Sequence, residues 1–302
     1  MMIKLAIVTV LYKSENVLED FFISIACQDF ENFKLYIIDN SPSFQSQKLI
    51  EDYVLHYRLM DKIEYLPSTD NIGVAAGNNV GIKAALRDKC DYILLSNNDI
   101  LINDHKLFGN MLRESESKNL NILIPKIYYY NTDEIWFITG AINKFRARCF
   151  HYNSNQVDNG QFDYLNHCDY APTCFMLFKK EVFDKVGLMD EKYFVYYDDT
   201  DFLWRCKLQN IKVNIFTKGI IQHKEGKSTG GNTSDFSFYY YTRNRFYFAS
   251  KINLNLTVKY FSFGYIFLVS LLRSFKYKKT RIFFNIIREF YNKEEFKRQN
   301  TF

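Results

Sequence analysis

The chain has 302 residues, 47% hydrophobic and 24% charged, a balance that excludes a mostly disordered protein and has room for two domains or for one α/β unit with an appendage. Its net charge of +5 is unevenly spread: from Lys251 onward there are 11 Lys and Arg against 3 Glu, so the tail holds +8 and the first 250 residues −3. That asymmetry directs the tail toward an anionic surface, and many of the 29 Phe and 23 Tyr gather there, after residue 235.

Over the first hundred residues, apolar runs of strand length alternate with helical patterns, as βαβ units and a parallel sheet require. The opening MMIKLAIVTVLY fits a strand at 5–10 better than a secretion signal, so the chain is expected to stay in the cytosol. Asn16 with Glu19 three residues on marks a helix start, and Val17, Phe21, Phe22 and Ile25 give it an apolar face. Strands follow at 34–38, 63–66 and 92–95, with helices at 45–59 and 74–86 between them. These strands end in polar residues at Asp39, near Asp70-Asn71 and at Asp99. In a parallel sheet all three stops share one edge, the edge where open α/β sheets bind ligands.

The middle of the chain is less regular, with strands expected at 122–124, 135–138, 146–152 and 173–178, then a helix at 180–186 closed by Gly187. A further helix runs through 202–208, short strands occupy 213–216 and 220–222, and the glycine-rich stretch 224–235 reads as a loop. The six cysteines, at 27, 90, 149, 168, 174 and 206, lack the paired short spacings of zinc or redox motifs and read as reduced thiols.

Four groups of residues carry candidate chemistry. Ser96-Asn97-Asn98-Asp99 ends a buried strand on one carboxylate; such an acid suits a hard divalent ion shared with substrate phosphates, although Asn and Asp also form ordinary turns. Asp70-Asn71-Ile72-Gly73, with Gly77 beyond, sets small residues at a strand-to-helix junction, where a backbone can approach a ligand or pack on a strand. In Asp198-Asp199-Thr200-Asp201, Asp201 can pair with Arg205 one turn on, but two more acids beside tyrosines call for a cation, a hydroxyl or a substrate, and either can act as a general base. His223 can complete the coordination of an ion on Asp99 or serve structure alone, while Lys224, Lys227, Ser228 and Thr229 are donors suited to a diphosphate.

In order along the chain, the segments IVTVLYKSENVLEDFFISI, IIDNSPS, DNIGVAAGNNVGIKAA, DYILLSNNDI, DYAPTCFMLFKKEVFDKVGLMDEKYFVYYDDTDFLWRCKLQNIKV and IIQHKEGKSTGG resemble family 2 glycosyltransferases of the GT-A fold. The likeness spans about residues 3–250 and is greatest to the rhamnosyltransferase-like branch of bacterial surface polysaccharide synthesis. It implies an α/β catalytic domain over residues 1–250, with a mostly parallel central sheet flanked by helices, followed by a helical extension over 251–302. Thr9, Asp39 and Asp70 would line a nucleoside pocket, with Asn71 and Gly73 close by. Asn97, Asn98 and Asp99 stand at the family's Asp-x-Asp motif, Asn97 replacing its first acid, so that Asp99 would bind the Mg²⁺ or Mn²⁺ bridging a diphosphate. Asp199 matches the catalytic base, Asp198 a position where Glu is more usual, His223 a residue near metal and diphosphate, and Arg243 part of a recurrent Arg-Asn pair. The activity so implied is metal-dependent, inverting transfer of a rhamnose-like or other hexose from a nucleotide-diphosphate sugar to a hydroxyl of a glycan or lipid-linked acceptor.

Two other readings remain open on the residues. A sugar-phosphate nucleotidyltransferase would carry a basic Gly-rich loop after the first strand, where Tyr12-Lys13-Ser14 offers none; a non-catalytic binding protein on the same fold is the third. In the tail, the apolar run 260–272 has 13 residues, short of the roughly 20 that cross a bilayer. Interleaved basic and aromatic residues suit the face of an anionic membrane, here the inner face of the plasma membrane. The alternative is packing on the catalytic domain or on a second copy in a homodimer. No nucleic-acid recognition motif accompanies the charge.

Overall fold

The computed structural model describes residues 3–224 and 234–292. Its first half alternates as expected: β1 (Leu5–Leu11), α1 (Leu18–Ala26), β2 (Phe33–Asp39), α2 (Phe44–His56), β3 (Ile63–Pro67), α3 (Val74–Arg87) and β4 (Tyr92–Ser96). The helix starts differ in how they are held. Ser43 caps α2 by accepting from Ser46 N at 3.0 Å, whereas α1 begins at Leu18, two residues past Asn16, with no side-chain cap.

Beyond β4 come β5 (Ile100–Leu101), α4 (Leu107–Ser117), β6 (Ile122–Tyr129), β7 (Ile135–Phe137), β8 (Thr139–Asn143), β9 (Arg148–Tyr152), β10 (His167–Cys168), β11 (Phe175–Lys179) and α5 (Glu181–Val186). The remainder is α6 (Asp198–Leu208), β12 (Val213–His223), α7 (Asp235–Lys251), α8 (Leu256–Lys276) and α9 (Thr280–Tyr291). The two short strands expected at 213–222 are one strand, irregular between Phe216 and Ile220, where it slips in register against β6.

The main sheet runs β10-β12-β6-β11-β4-β1-β2-β3 and is mixed. Strands β3, β2, β1 and β4 are mutually parallel, as are β6 and β12, but β11 enters antiparallel between β4 and β6. Carboxyl ends of β1 to β4 therefore do share one edge. On one face α3 presses onto β1 so closely that a Cβ on Gly81 would lie 2.3 Å from Val8 Cγ1. β8 and β9 form a separate hairpin. Ile266 of α8 and Phe283 of α9 are fully buried and belong to the same hydrophobic core as β1, β4 and β6.

Candidate active site

Asp99 leaves β4 in a turn and meets His223 at the end of β12. The two-residue strand β5 makes that meeting, because its antiparallel register sets Ile100 opposite His223, and Lys224 N donates to the Asp99 carbonyl at 2.9 Å. Asp99 Oδ1 lies 3.2 Å from His223 Nε2, yet both atoms, and His223 Nδ1, are buried without a hydrogen-bond partner. Burial pushes the Asp99 carboxyl up, but the imidazole beside it leaves it net below the usual carboxylate range. Buried polar atoms are nearly always satisfied, so this orphaned O and N pair fits a divalent cation. Among the described residues no third His, Cys, Asp or Glu joins them, which leaves substrate oxygens and water to complete such a shell.

A cavity of about 800 Å³ opens beside this pair, lined by Asn97 and His223, by Asp198 and Asp199 of α6, and by residues of β9, α7 and α8. Asp199 Oδ2 accepts from the buried Tyr170 hydroxyl at 2.7 Å, and Oδ1 accepts from Thr200 N and Oγ1. Burial lifts its pKa above the ordinary carboxylate value against the pull of those donors. Among the described residues no side chain donates to Asp198; burial first, and the neighbouring Asp199 charge second, push it up to about 8. Two like charges so placed cannot both ionise readily. The Tyr170 and Thr200 donors favour the charged form on Asp199.

The approach to α6 is strained. Tyr196 and Tyr197 sit consecutively in the left-handed region, at φ 62° and 68°, rare for bulky residues. Asn244 Nδ2 donates to the carbonyls of Val195 and Tyr196 at 2.7 and 2.8 Å, Arg243 Nη2 to that of Lys192 at 2.5 Å, and the Tyr197 hydroxyl to that of Ala147 at 3.0 Å. From the other side Val74 N donates to the Phe194 carbonyl at 2.7 Å. Gly73, at φ 84°, makes that approach possible, since a Cβ there would lie 2.4 Å from the Phe194 oxygen.

A family model described as glycosyl transferase family 2 matches residues 6–187. The chain belongs to that family. The sequence is 25% identical over 252 residues to the low-salt glycan biosynthesis hexosyltransferase Agl10 of Haloferax volcanii, covering 82% of this chain and 76% of that one. It is 24% identical over 242 residues to the dTDP-rhamnosyl transferase RfbF of Shigella flexneri, covering 75% and 74%. Among solved structures, S. aureus TarS 1–349 in complex with UDP-GlcNAc superposes with a TM-score of 0.56 at 18% identity, over 85% of this chain and 69% of that one. The mannosyltransferase PcManGT of Pyrobaculum calidifontis, in complex with GDP-Man and Mn²⁺, gives 0.59 at 10% identity, over 94% and 74%. The fold is that of the GT-A glycosyltransferases, and the protein is a glycosyltransferase.

In this family 2 transferase the structure brings Asn97, Asp198, Asp199 and His223 to one cavity, with Asp99 directly behind His223. Thr9 and Asp39 are fully buried at the ends of β1 and β2. Thr9 Oγ1 has no partner, whereas Asp39 already accepts from Ser41 N, Ser46 Oγ and the Tyr65 hydroxyl. Asp70 is exposed, and Asn71 Oδ1 accepts from Gly73 N at 3.0 Å.

Four of the expected residues meet the protein's own groups. Asn98 is turned inward, Nδ2 donating to the Val10 carbonyl at 2.9 Å, and so ties the turn to β1. Lys224 pairs with Asp20 at 2.6 Å instead of facing a diphosphate. Arg243 is enclosed against Tyr240 and bonded to the Lys192 carbonyl, outside the cavity lining, and Arg245 is the α7 arginine that lines it. Gly73 makes its close approach to the Phe194 carbonyl. Lys227, Ser228 and Thr229 lie outside the described residues. Asp201 takes its expected ion pair with Arg205, at 2.9 Å. Sequence reasoning missed Tyr170, which only the chain's folding brings to Asp199, and the wall that α8 contributes.

Proposed function

We propose that the protein is an inverting, metal-dependent transferase that moves a rhamnose-like or other hexose from a nucleotide-diphosphate sugar to a hydroxyl of a glycan or lipid-linked acceptor in surface polysaccharide synthesis, at the cytoplasmic membrane face. The observation that carries this reading is the orphaned Asp99 and His223 pair beside the cavity that also holds Asp199. The UDP-GlcNAc and GDP-Man complexes of two structural neighbours, one of them with Mn²⁺, support the donor class.

In this reading Thr9, Asp39, Asp70, Asn71 and Gly73 form the nucleoside end and Asn97 faces the diphosphate. Asp99 and His223 would hold Mg²⁺ or Mn²⁺, which when bound neutralises charge on the departing diphosphate. Asp199 takes the proton from the acceptor hydroxyl as its oxygen attacks the anomeric carbon, and Asp198 keeps a shared proton so that only one charge is buried there. Tyr170 and Thr200 fix the carboxylate's orientation. Residues 1–250 supply this chemistry, and the extension over 251–302 meets an anionic membrane surface.

The test is incubation with UDP-, dTDP- and GDP-sugars and Mg²⁺ or Mn²⁺, read as released nucleoside diphosphate. Release of pyrophosphate instead would move the assignment to a nucleotidyltransferase. Binding of nucleotide without turnover under any acceptor would favour a non-catalytic binding protein.

A further inference from the structure

Four arginines converge on the cavity wall away from the sheet edge: Arg146 and Arg148 from the β8–β9 hairpin, Arg245 from α7 and Arg273 from α8. Among the described residues none has a carboxylate partner. Instead they lie over rings, Arg148 over Phe150 at 5.4 Å, Arg273 over Tyr241 at 5.5 Å, and both Arg146 and Arg245 over Tyr265 at 5.9 Å. Arg245 is only 4% exposed, and it donates to a neutral acceptor, the Arg146 carbonyl, at 3.0 and 2.9 Å. An unpaired buried guanidinium with three like charges nearby is costly in an empty site, and the arginine fork matches phosphate oxygens.

The helix that supplies Arg273 also shows what the anion is attached to. Tyr265, Val269 and Arg273 follow one another at i+4 along the cavity side of α8. Beside them a second stripe, Phe261, Leu268, Leu272 and Phe275, is 55–69% exposed. A guanidinium wall thus runs directly into an uncovered apolar track on the same helix.

We propose that this wall binds the diphosphate of a lipid-linked acceptor, with its hydrocarbon chain lying on the exposed stripe of α8. The inference rests on the transferase reading above and names the acceptor class for it. The donor's own diphosphate belongs with Asp99 and His223 at the sheet edge, from which none of the four arginines comes.

The test uses farnesyl diphosphate, inorganic pyrophosphate and farnesol as probes, titrated calorimetrically into the full chain, with UDP, dTDP and GDP titrated in parallel. Farnesyl diphosphate is expected to bind most tightly. Its affinity should fall about tenfold or more in Arg148→Gln and in Arg273→Gln, as loss of a charged hydrogen bond implies, and recover in part in Arg273→Lys, while nucleotide affinity stays at the wild-type value. Pyrophosphate binding as tightly as farnesyl diphosphate would assign the wall to a free anion and overturn the lipid-linked acceptor. Farnesol matching the diphosphate, or an equal loss of nucleotide affinity in the arginine variants, would overturn it as well. If farnesyl diphosphate binds as expected and no nucleotide binds at all, the acceptor subsite stands and the donor reading fails.

Discussion

Asp198 and Asp199 differ in their surroundings more than in their chemistry. Tyr170 and Thr200 donate to Asp199, whereas among the described residues no side chain donates to Asp198, so the same burial favours charge on the first and a proton on the second. Asp199→Asn should lower transfer by about 10²–10⁴, the usual contribution of a general base, while a calorimetric titration shows donor affinity close to wild type. Asp198→Asn tests the shared proton through stability. The folded pKa of Asp198 is raised, so from its unfolded value near 4 up to about 8 the native state holds a proton that the unfolded chain has lost, and wild-type stability falls with rising pH across that window. The Tm advantage of Asp198→Asn over wild type should therefore be absent near pH 4, grow through that range and level off above about 8; an advantage constant with pH would reject the assignment. Asp99→Ala should cut the Tm rise that nucleotide plus Mn²⁺ produces and leave the rise from nucleotide alone unchanged. The acidic cluster was legible in the sequence because three acids in four residues exceed what a helix start needs. Tyr170, 29 residues upstream of Asp199, left no local signal of its role.

At the scale of elements, the site depends on short segments with unusual backbone. Gly73→Ala combines a left-handed φ with a Cβ at 2.4 Å from a carbonyl oxygen. It should destabilise the protein by about 1–3 kcal/mol in urea unfolding and lower kcat, because the displaced Phe194 leads straight into the segment that carries Asp199, the proposed base. The strand ends at Asp39 and Asp99 were readable from apolar runs that stop at polar residues. β5 was not, since two residues carry no periodicity, and it is β5 that brings His223 to Asp99. β12 read as two pieces because Thr217, Lys218 and Gly219 interrupt its apolar pattern; the pairing with β6 resumes at Ile220. Arg243 illustrates the opposite limit. The sequence marks Arg243 and Asn244 only as a recurrent pair, and packing shows that they clamp residues 192–196.

For the whole molecule, the tail departs most from its sequence reading. The 13-residue apolar run sits inside a 21-residue helix, capped by Asn255, because polar residues at both ends continue the helical backbone. Among the described residues α8 is the one helix long and apolar enough to cross a membrane by length and composition. Ser262, Ile266, Ser270 and Ser274 are nevertheless buried at i+4 spacing, which docks one face of it on the protein. The opposite surface carries its apolar stripe, with Lys276 in the last turn and Lys278, Lys279 and Arg281 following. An interfacial pose suits that arrangement better than insertion. The protein should float with vesicles containing phosphatidylglycerol, detach as salt is raised, and lose much of that binding in Phe261→Ser/Leu272→Ser; equal flotation with neutral vesicles would argue against the basic tail as the driver.

The two left-handed tyrosines ahead of α6 have a thermodynamic consequence. Because Tyr196 and Tyr197 are pinned from three sides, the direction of the Asp199 carboxylate is set when the chain folds and not when an acceptor arrives. If Asp199 is the base proposed above, its ordering is absent from the chemical step, and the barrier to transfer should be almost wholly enthalpic, with an activation entropy near zero.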